Sequence, residues 1–258
     1  MSQAGPIKNV YESNYITNVI FRVDFPKILE LNEQKTPIKF QEAVSERFPK
    51  LEEIKGGVLD VKIEKDMDIS LKHENKVTWE FSNKEKTKKV FINSDFVSIE
   101  YLKYEHFADF LNEIQFVFDT FTSLYPVKIS KRIGLRYINQ IKLDSGDPMD
   151  WNNLIHPSLF SNYNEFKLEN IDILRSMRLL ELKEGEYRLK FQFGLSNSEY
   201  PNPIARKEFI LDYDCSTNEE LEISEIFNLA KEFNIIIYRW FENSILEDLR
   251  EKMGVVKK

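Results

Sequence analysis

Four basic residues are the strongest candidates for chemistry in this 258-residue chain. The run KISKRIGLRYINQIKL at 128–143 alternates along its length and reads as one extended strand. Counting by two places Ile133, Leu135, Tyr137, Asn139 and Ile141 on a core face, and Arg132, Gly134, Arg136, Ile138 and Gln140 on the other. Arg188, Lys190 and Gln192 share one face of a second expected strand at 187–195. If those strands are neighbours, their outer face is a basic stripe. Planar guanidinium forks suit phosphate or carboxylate because they donate two parallel hydrogen bonds. Arg132, Arg136, Arg188 and Lys190 are therefore the candidate ligand-binding residues. Arg175 and Arg178 are three apart, so without a bulge they cannot both join the stripe. The competing reading is a solvated sheet face whose charges pair across strands with Glu181, Glu186 and Asp212.

Other chemistries have weaker support. Asp212 and Asp214 share a strand face with Ile210, an arrangement that could hold a metal in a nuclease, yet no third acid or lysine is assigned beside them. His73 lies in the polar stretch KHENK, read as a turn. His106 falls in the first turns of an expected helix, and His156 precedes a proline. None has a nucleophile or ligand pattern beside it. Cys215 follows Tyr213-Asp214 with no basic neighbour to make it a reactive thiolate, so it reads as a small, partly buried residue. The Gly56-Gly57 pair lacks the lysine and serine or threonine of a phosphate loop. Gly134 and Gly194 stand alone within strands, where glycine marks a bulge or lets another backbone approach. No catalytic residue, metal ligand or cofactor is assigned.

An interface is the other candidate. The segment FNIIIYRWF at 233–241 is apolar almost all round its helix, and Ile235, Ile236 and Tyr238 lie off the main stripe. A helix wet on one side would not carry three large residues there, so a second surface, within the chain or on another molecule, is expected to cover them.

Composition narrows the classes. A net charge of -7 opposes a general polyanion binder, so nucleic acid would need a locally basic face. One cysteine excludes an internal disulfide, and with three histidines gives no zinc pattern; a cytoplasmic location is expected. The N-terminus MSQAGPIKNVYES lacks the pattern of a signal peptide, and no segment reaches the ~20 apolar residues of a spanning helix, so no membrane role is expected. The 20 phenylalanines are the bias that the fold must absorb.

Elements follow from periodicity. Strands are expected at 15–25, 58–64, 76–82, 88–93, 96–101, 128–143, 171–182, 187–195 and 206–214. Helices are expected from 38 to about 47, over 104–124 with a broad phenylalanine stripe, and over 221–253. Asp147-Pro148 is a further helix start, and 158–170 has room for one short helix. The predicted fold class is α+β with an internal duplication: two antiparallel β-meanders, each followed by a long amphipathic helix. The halves would be 1–125 and 126–258, with 128–143 at the junction, or one continuous domain; the alternative is that two such meanders arise in any α+β chain.

The segments YITNVIFRVDFP, VTWEFSNKEKTKKVFINSDFVSIEYLKYEHFADF, RIGLRYINQI, FILDYD and FENSILEDLRE together resemble a family of sporadically distributed prokaryotic proteins of this length. The resemblance covers nearly the whole chain and is most specific over 132–141. It implies a full-length domain and a patchy, horizontally moved distribution, as in toxin–antitoxin or antiphage systems, and no reaction. The expected function is a non-catalytic binding protein of the prokaryotic cytoplasm that engages a protein partner, with homo-oligomers open. The alternatives are nucleic-acid or nucleotide binding through the arginine-bearing face, and a metal-dependent nuclease.

Overall fold

The computed structural model describes residues 10–32, 35–63, 69–160 and 172–256, with side chains at all of these except 10, 57–63, 69–75, 255 and 256. Its elements run β1 (Val10–Tyr11), β2 (Ile16–Asp24), α1 (Leu29–Asn32), α2 (Ile38–Val44), β3 (Lys50–Ile63), β4 (Ile69–Ser82), β5 (Lys88–Ile92), β6 (Phe96–Tyr101) and α3 (Phe107–Leu124). The remainder is β7 (Ile129–Ser130), β8 (Arg132–Leu143), β9 (Ser176–Glu184), β10 (Tyr187–Leu195), β11 (Lys207–Thr217), β12 (Leu221–Glu222), α4 (Ile226–Ser244), α5 (Glu247–Met253) and β13 (Val255–Val256).

Nine strands form one antiparallel sheet in the order β3-β4-β5-β6-β2-β8-β11-β10-β9. This overturns the expected pair of separate meanders and with it the internal duplication. The reason is long-range pairing. Alternation marks a segment as a strand but does not name its partner, and β2 and β8, more than a hundred residues apart, adjoin at the middle of the order. Backbone bonds from Gln140 N to Tyr15 O and from Lys131 N to Asp24 O run along that seam.

By its internal contacts the chain divides into two units. One comprises Ile20–Ile133 and Asn218–Phe227, the other Met1–Val19, Gly134–Thr217 and Asn228–Lys258. In the first, the apolar faces of β4, β5 and β6 bury Trp79, Phe81, Val90, Ile92, Val97 and Ile99, and α3 buries Phe110, Ile114, Val117, Phe118 and Phe121. Ring contacts Phe21–Phe118 (5.7 Å), Phe25–Phe121 (5.3 Å) and Phe40–Phe81 (5.2 Å) account for much of the phenylalanine excess. Each such side chain contributes roughly 1.5–3 kcal/mol on burial.

The glycine pair does not break the chain as expected. β3 runs through it, with Gly56 opposite Lys76 and Gly57 opposite Asn75, because the partner strand keeps the ladder in register where glycine supplies no side chain. The segments expected at 58–64 and 76–82 are thus parts of two 14-residue strands. His73 lies on β4 opposite Leu59 rather than in a turn.

In the second unit, Leu189, Phe191, Phe193 and Leu195 of β10 and Phe209, Leu211, Tyr213 and Cys215 of β11 form the buried face. Helix α4 packs there: Tyr187 meets Phe233 at 5.0 Å and Phe191 meets Trp240 at 6.0 Å. Tyr213 Oη donates to Ser244 Oγ at 2.7 Å, and Tyr137 Oη donates to Asn234 Oδ1 at 2.8 Å. The core face expected for β8 is thereby fixed, and its buried Asn139 donates to Leu211 O at 3.1 Å.

The helix expected over 221–253 is interrupted. Leu246 N donates to Leu154 O and His156 N donates to Ser244 O, each at 2.9 Å, so the segment around Ile155 takes up groups that a continuous helix would use internally. Its first residues are β12, which pairs with β7. At Asp147-Pro148 the chain makes a turn instead of a helix, with Met149 N donating to Asp147 Oδ1 at 2.9 Å. Of 158–170 only a 3-10 turn at Pro157–Leu159 is seen, since 161–171 lie outside the described residues. The strand expected from 171 begins at Ser176.

One buried charge ties the first unit together. Glu113 of α3 accepts from Arg47 Nη1 (3.0 Å), Lys88 Nζ (3.1 Å) and Tyr101 Oη (3.0 Å), joining the chain after α2 to β5 and β6. Burial pushes this carboxyl up, but hydrogen bonds from Arg47 and Lys88, the Lys88 charge and the Tyr101 hydroxyl hold it below the usual carboxylate range. Its folded pKa is depressed, so its contribution is complete above the unfolded value of about 4.3 and is lost as pH falls through the folded value. Glu113→Gln is expected to cost about 1–3 kcal/mol at pH 7. Urea unfolding of both proteins should show the difference shrinking below about pH 4.

Candidate functional site

Strand β9 ends the nine-strand order, and no described strand lies beyond it. Its inner neighbour β10 holds it in a register that pairs Lys190 with Glu181, Gln192 with Leu179 and Gly194 with Met177. On the other side of β10, Lys190 faces Asp214 and Gln192 faces Asp212. Alternation therefore sets Leu179, Glu181, Lys190, Gln192, Asp212 and Asp214 on one face, away from the buried one. With Arg136, five of these six (all but Glu181) line a shallow hollow of about 280 Å³.

The sheet thus brings together two of the four candidate residues, Arg136 and Lys190. Arg136 grips Asp212 with both arms of its fork, Nε to Oδ1 at 2.8 Å and Nη2 to Oδ2 at 2.6 Å. The Asp212 side chain keeps only 7% of its exposure, so this carboxylate is committed to Arg136. Lys190 Nζ stands 3.3 Å from Glu181. Arg132 approaches Asp24 at 3.9 Å, where Arg22 Nε already donates at 3.1 Å. Arg188 is exposed, opposite Ser216 and Lys183. Arg175 and Arg178 lie over the rings of Tyr200 (4.7 Å) and Phe193 (5.1 Å), the latter on the buried side of β10.

Among the described residues no three His, Cys, Asp or Glu side chains stand together as a metal-binding group, and Asp212 is already in its arginine fork. Cys215 is fully buried, and its thiol is pushed up to about 12 by burial and by the Asp214 and Glu184 carboxylates. His106 sits at the start of α3, and the His156 ring nitrogen accepts from Ser158 N. On α4, Ile236 is buried within the chain while Ile235 and Tyr238 are half-buried.

The feature that residue-by-residue reading missed is the apolar edge. Leu179 is 57% exposed and Leu180 is 42% exposed. Being adjacent on a strand, they project to opposite faces. A leucine pair breaks strict alternation, and that is the available signal, but only the strand order shows that no described strand covers it. Soluble sheets blunt such edges with charge, and β9 carries Arg178, Glu181 and Lys183 around the pair.

Gly194 is the local device that seats β9. Its backbone has φ +144, and a side-chain carbon there would collide with the Ser176 carbonyl oxygen and lie 3.1 Å from Met177 Cα. Of the two roles open to a strand glycine, the structure shows close approach by a neighbouring backbone. No family model matches the chain, and no curated protein matches it.

Gly194→Ala should cost more than about 2 kcal/mol, since it combines a disfavoured φ with a backbone collision. Hydrogen exchange should show the amides of 176–184 losing protection before those of β11.

Proposed function

We propose that this chain is a non-catalytic protein-binding module that accepts an extended partner segment along the outer edge of β9. One observation carries the reading: a terminal strand of nine residues presents an exposed leucine to each face of the sheet. Main-chain hydrogen bonds along such an edge supply affinity, and alternate side chains of the added strand pack beside Leu179 on one face and Leu180 on the other. The charged residues around the pair select the partner's sequence and keep the free edge soluble.

The same face does not favour nucleic acid. A phosphate would have to displace Asp212 from Arg136 and Glu181 from Lys190, and the whole molecule carries a net charge of -7. No helix among the described residues is long and apolar enough to cross a membrane. The single cysteine supports placing the module in the cytoplasm.

Two measurements test this. A partner co-purified from the native host should slow amide exchange over 176–184, and a Leu179→Asp, Leu180→Asp double variant should fold as the wild type and lose it. A partner retained by that variant with no change in β9 exchange would sink the reading. Single-stranded oligonucleotides at low salt should show no binding that falls steeply with added salt.

A further inference from the structure

Several charges of the second unit are matched side by side, as in Arg136–Asp212, Lys190–Glu181, Arg206–Glu199 and Arg250–Glu242. At one place charges of both signs gather without meeting. At the end of β8 a hollow of about 580 Å³ is lined by Lys142, Lys207 and Lys252 and by Asp144, Asp150 and Asp248. A second hollow of about 340 Å³ shares Lys142, Asp144 and Lys207 with it.

The six charges do not pair with one another. Lys142 reaches out to Glu208 at 3.8 Å, and Asp150 accepts from the backbone and side chain of Asn152. Lys207, Lys252, Asp144 and Asp248 have no ion pair within 4 Å among the described residues. Asp248 and Lys252 are four apart on α5, the spacing at which opposite charges on a helix ordinarily meet.

Lys207 is held in place. Its ammonium stands 5.4 Å from the centroid of the buried Trp151 ring, a cation–π distance, and its side chain runs against Gly146, where an added carbon would lie 3.2 Å from Nζ. Gly146 has φ +103, so the turn is both shaped for glycine and cleared for this lysine. The half-buried Tyr15 hydroxyl adds a donor on the wall.

We propose that this hollow binds a zwitterion of dipeptide size, with its carboxylate on Lys207 and Lys252 and its ammonium on Asp144 and Asp248. A ligand of one sign would meet three like charges, whereas one bearing both signs answers walls that carry three of each. The volume lies within the range of small-molecule sites, and the polar lining suits a charged ligand over an apolar one. This site is separate from the β9 edge and does not rest on it.

The test is titration of the full chain with L-alanyl-L-alanine, followed by backbone amide shifts, beside its N-acetyl and C-amide forms. The free dipeptide should give saturable shifts around 144–153 and 248–252, and blocking either end should weaken binding at least tenfold. Lys207→Met, at a half-buried position, and Asp248→Asn, at an exposed one, should each weaken it tenfold or more. No saturable shift, an unaltered affinity on blocking one end, or wild-type binding by either variant would overturn the proposal.

Discussion

The ladder through the middle of the sheet is the interaction on which the rest of the structure depends. Strands β2 and β8 adjoin there although more than a hundred residues separate them, and β6 and β11 take their places beside them. Pairing of this kind costs loop-closure entropy before it yields contacts. It is repaid because both strands bury every second residue, Val19, Phe21 and Val23 on one and Ile133, Leu135, Tyr137, Asn139 and Ile141 on the other. A slip of one residue would turn those faces to water, so the burial pattern and the register enforce each other.

The charges follow a similar economy of position. Buried or half-buried carboxylates at Glu80, Glu113, Glu208 and Asp212 each have a named donor: Lys89, Arg47 with Lys88, Ser198 with Lys142, and Arg136. An arginine fork spent on a buried aspartate stabilises the sheet and is withdrawn from ligand chemistry. Arg136 and Lys190 of the basic stripe are thus matched by Asp212 and Glu181, whereas among the described residues the leucines of β9 stay exposed and Lys207, Lys252, Asp144 and Asp248 near the end of β8 have no ion pair.

Much of the fold was legible before any coordinates. The alternation of 15–25, 88–93, 96–101, 128–143, 187–195 and 206–214 named strands that exist, although the run from 128, read as one strand, divides into β7 and β8, and the phenylalanine stripe named α3, which packs on β2 through Phe21–Phe118. Errors fell where a distant backbone intervened. The helix after β11 stops at Ser244 because residues 154–156 bind its end, and β3 passes through two glycines because β4 runs beside it. Of the candidate residues, Arg136 and Lys190 share a hollow, but their partners could be read only once β8, β11, β10 and β9 were in order.

The sequence by itself determined which residues are apolar on which period, and so which face of each strand and helix is buried; that information is local, carried by spacings of two and of three to four. It also determined the excess of acidic charge and the lack of a recognisable catalytic pattern. Only the tertiary structure decided that nine strands make one sheet, that β9 stands at one end of the described strand order, and that Arg136 belongs to Asp212. Those depend on which segments meet across long stretches of chain, and a period of two is satisfied equally well by any partner strand.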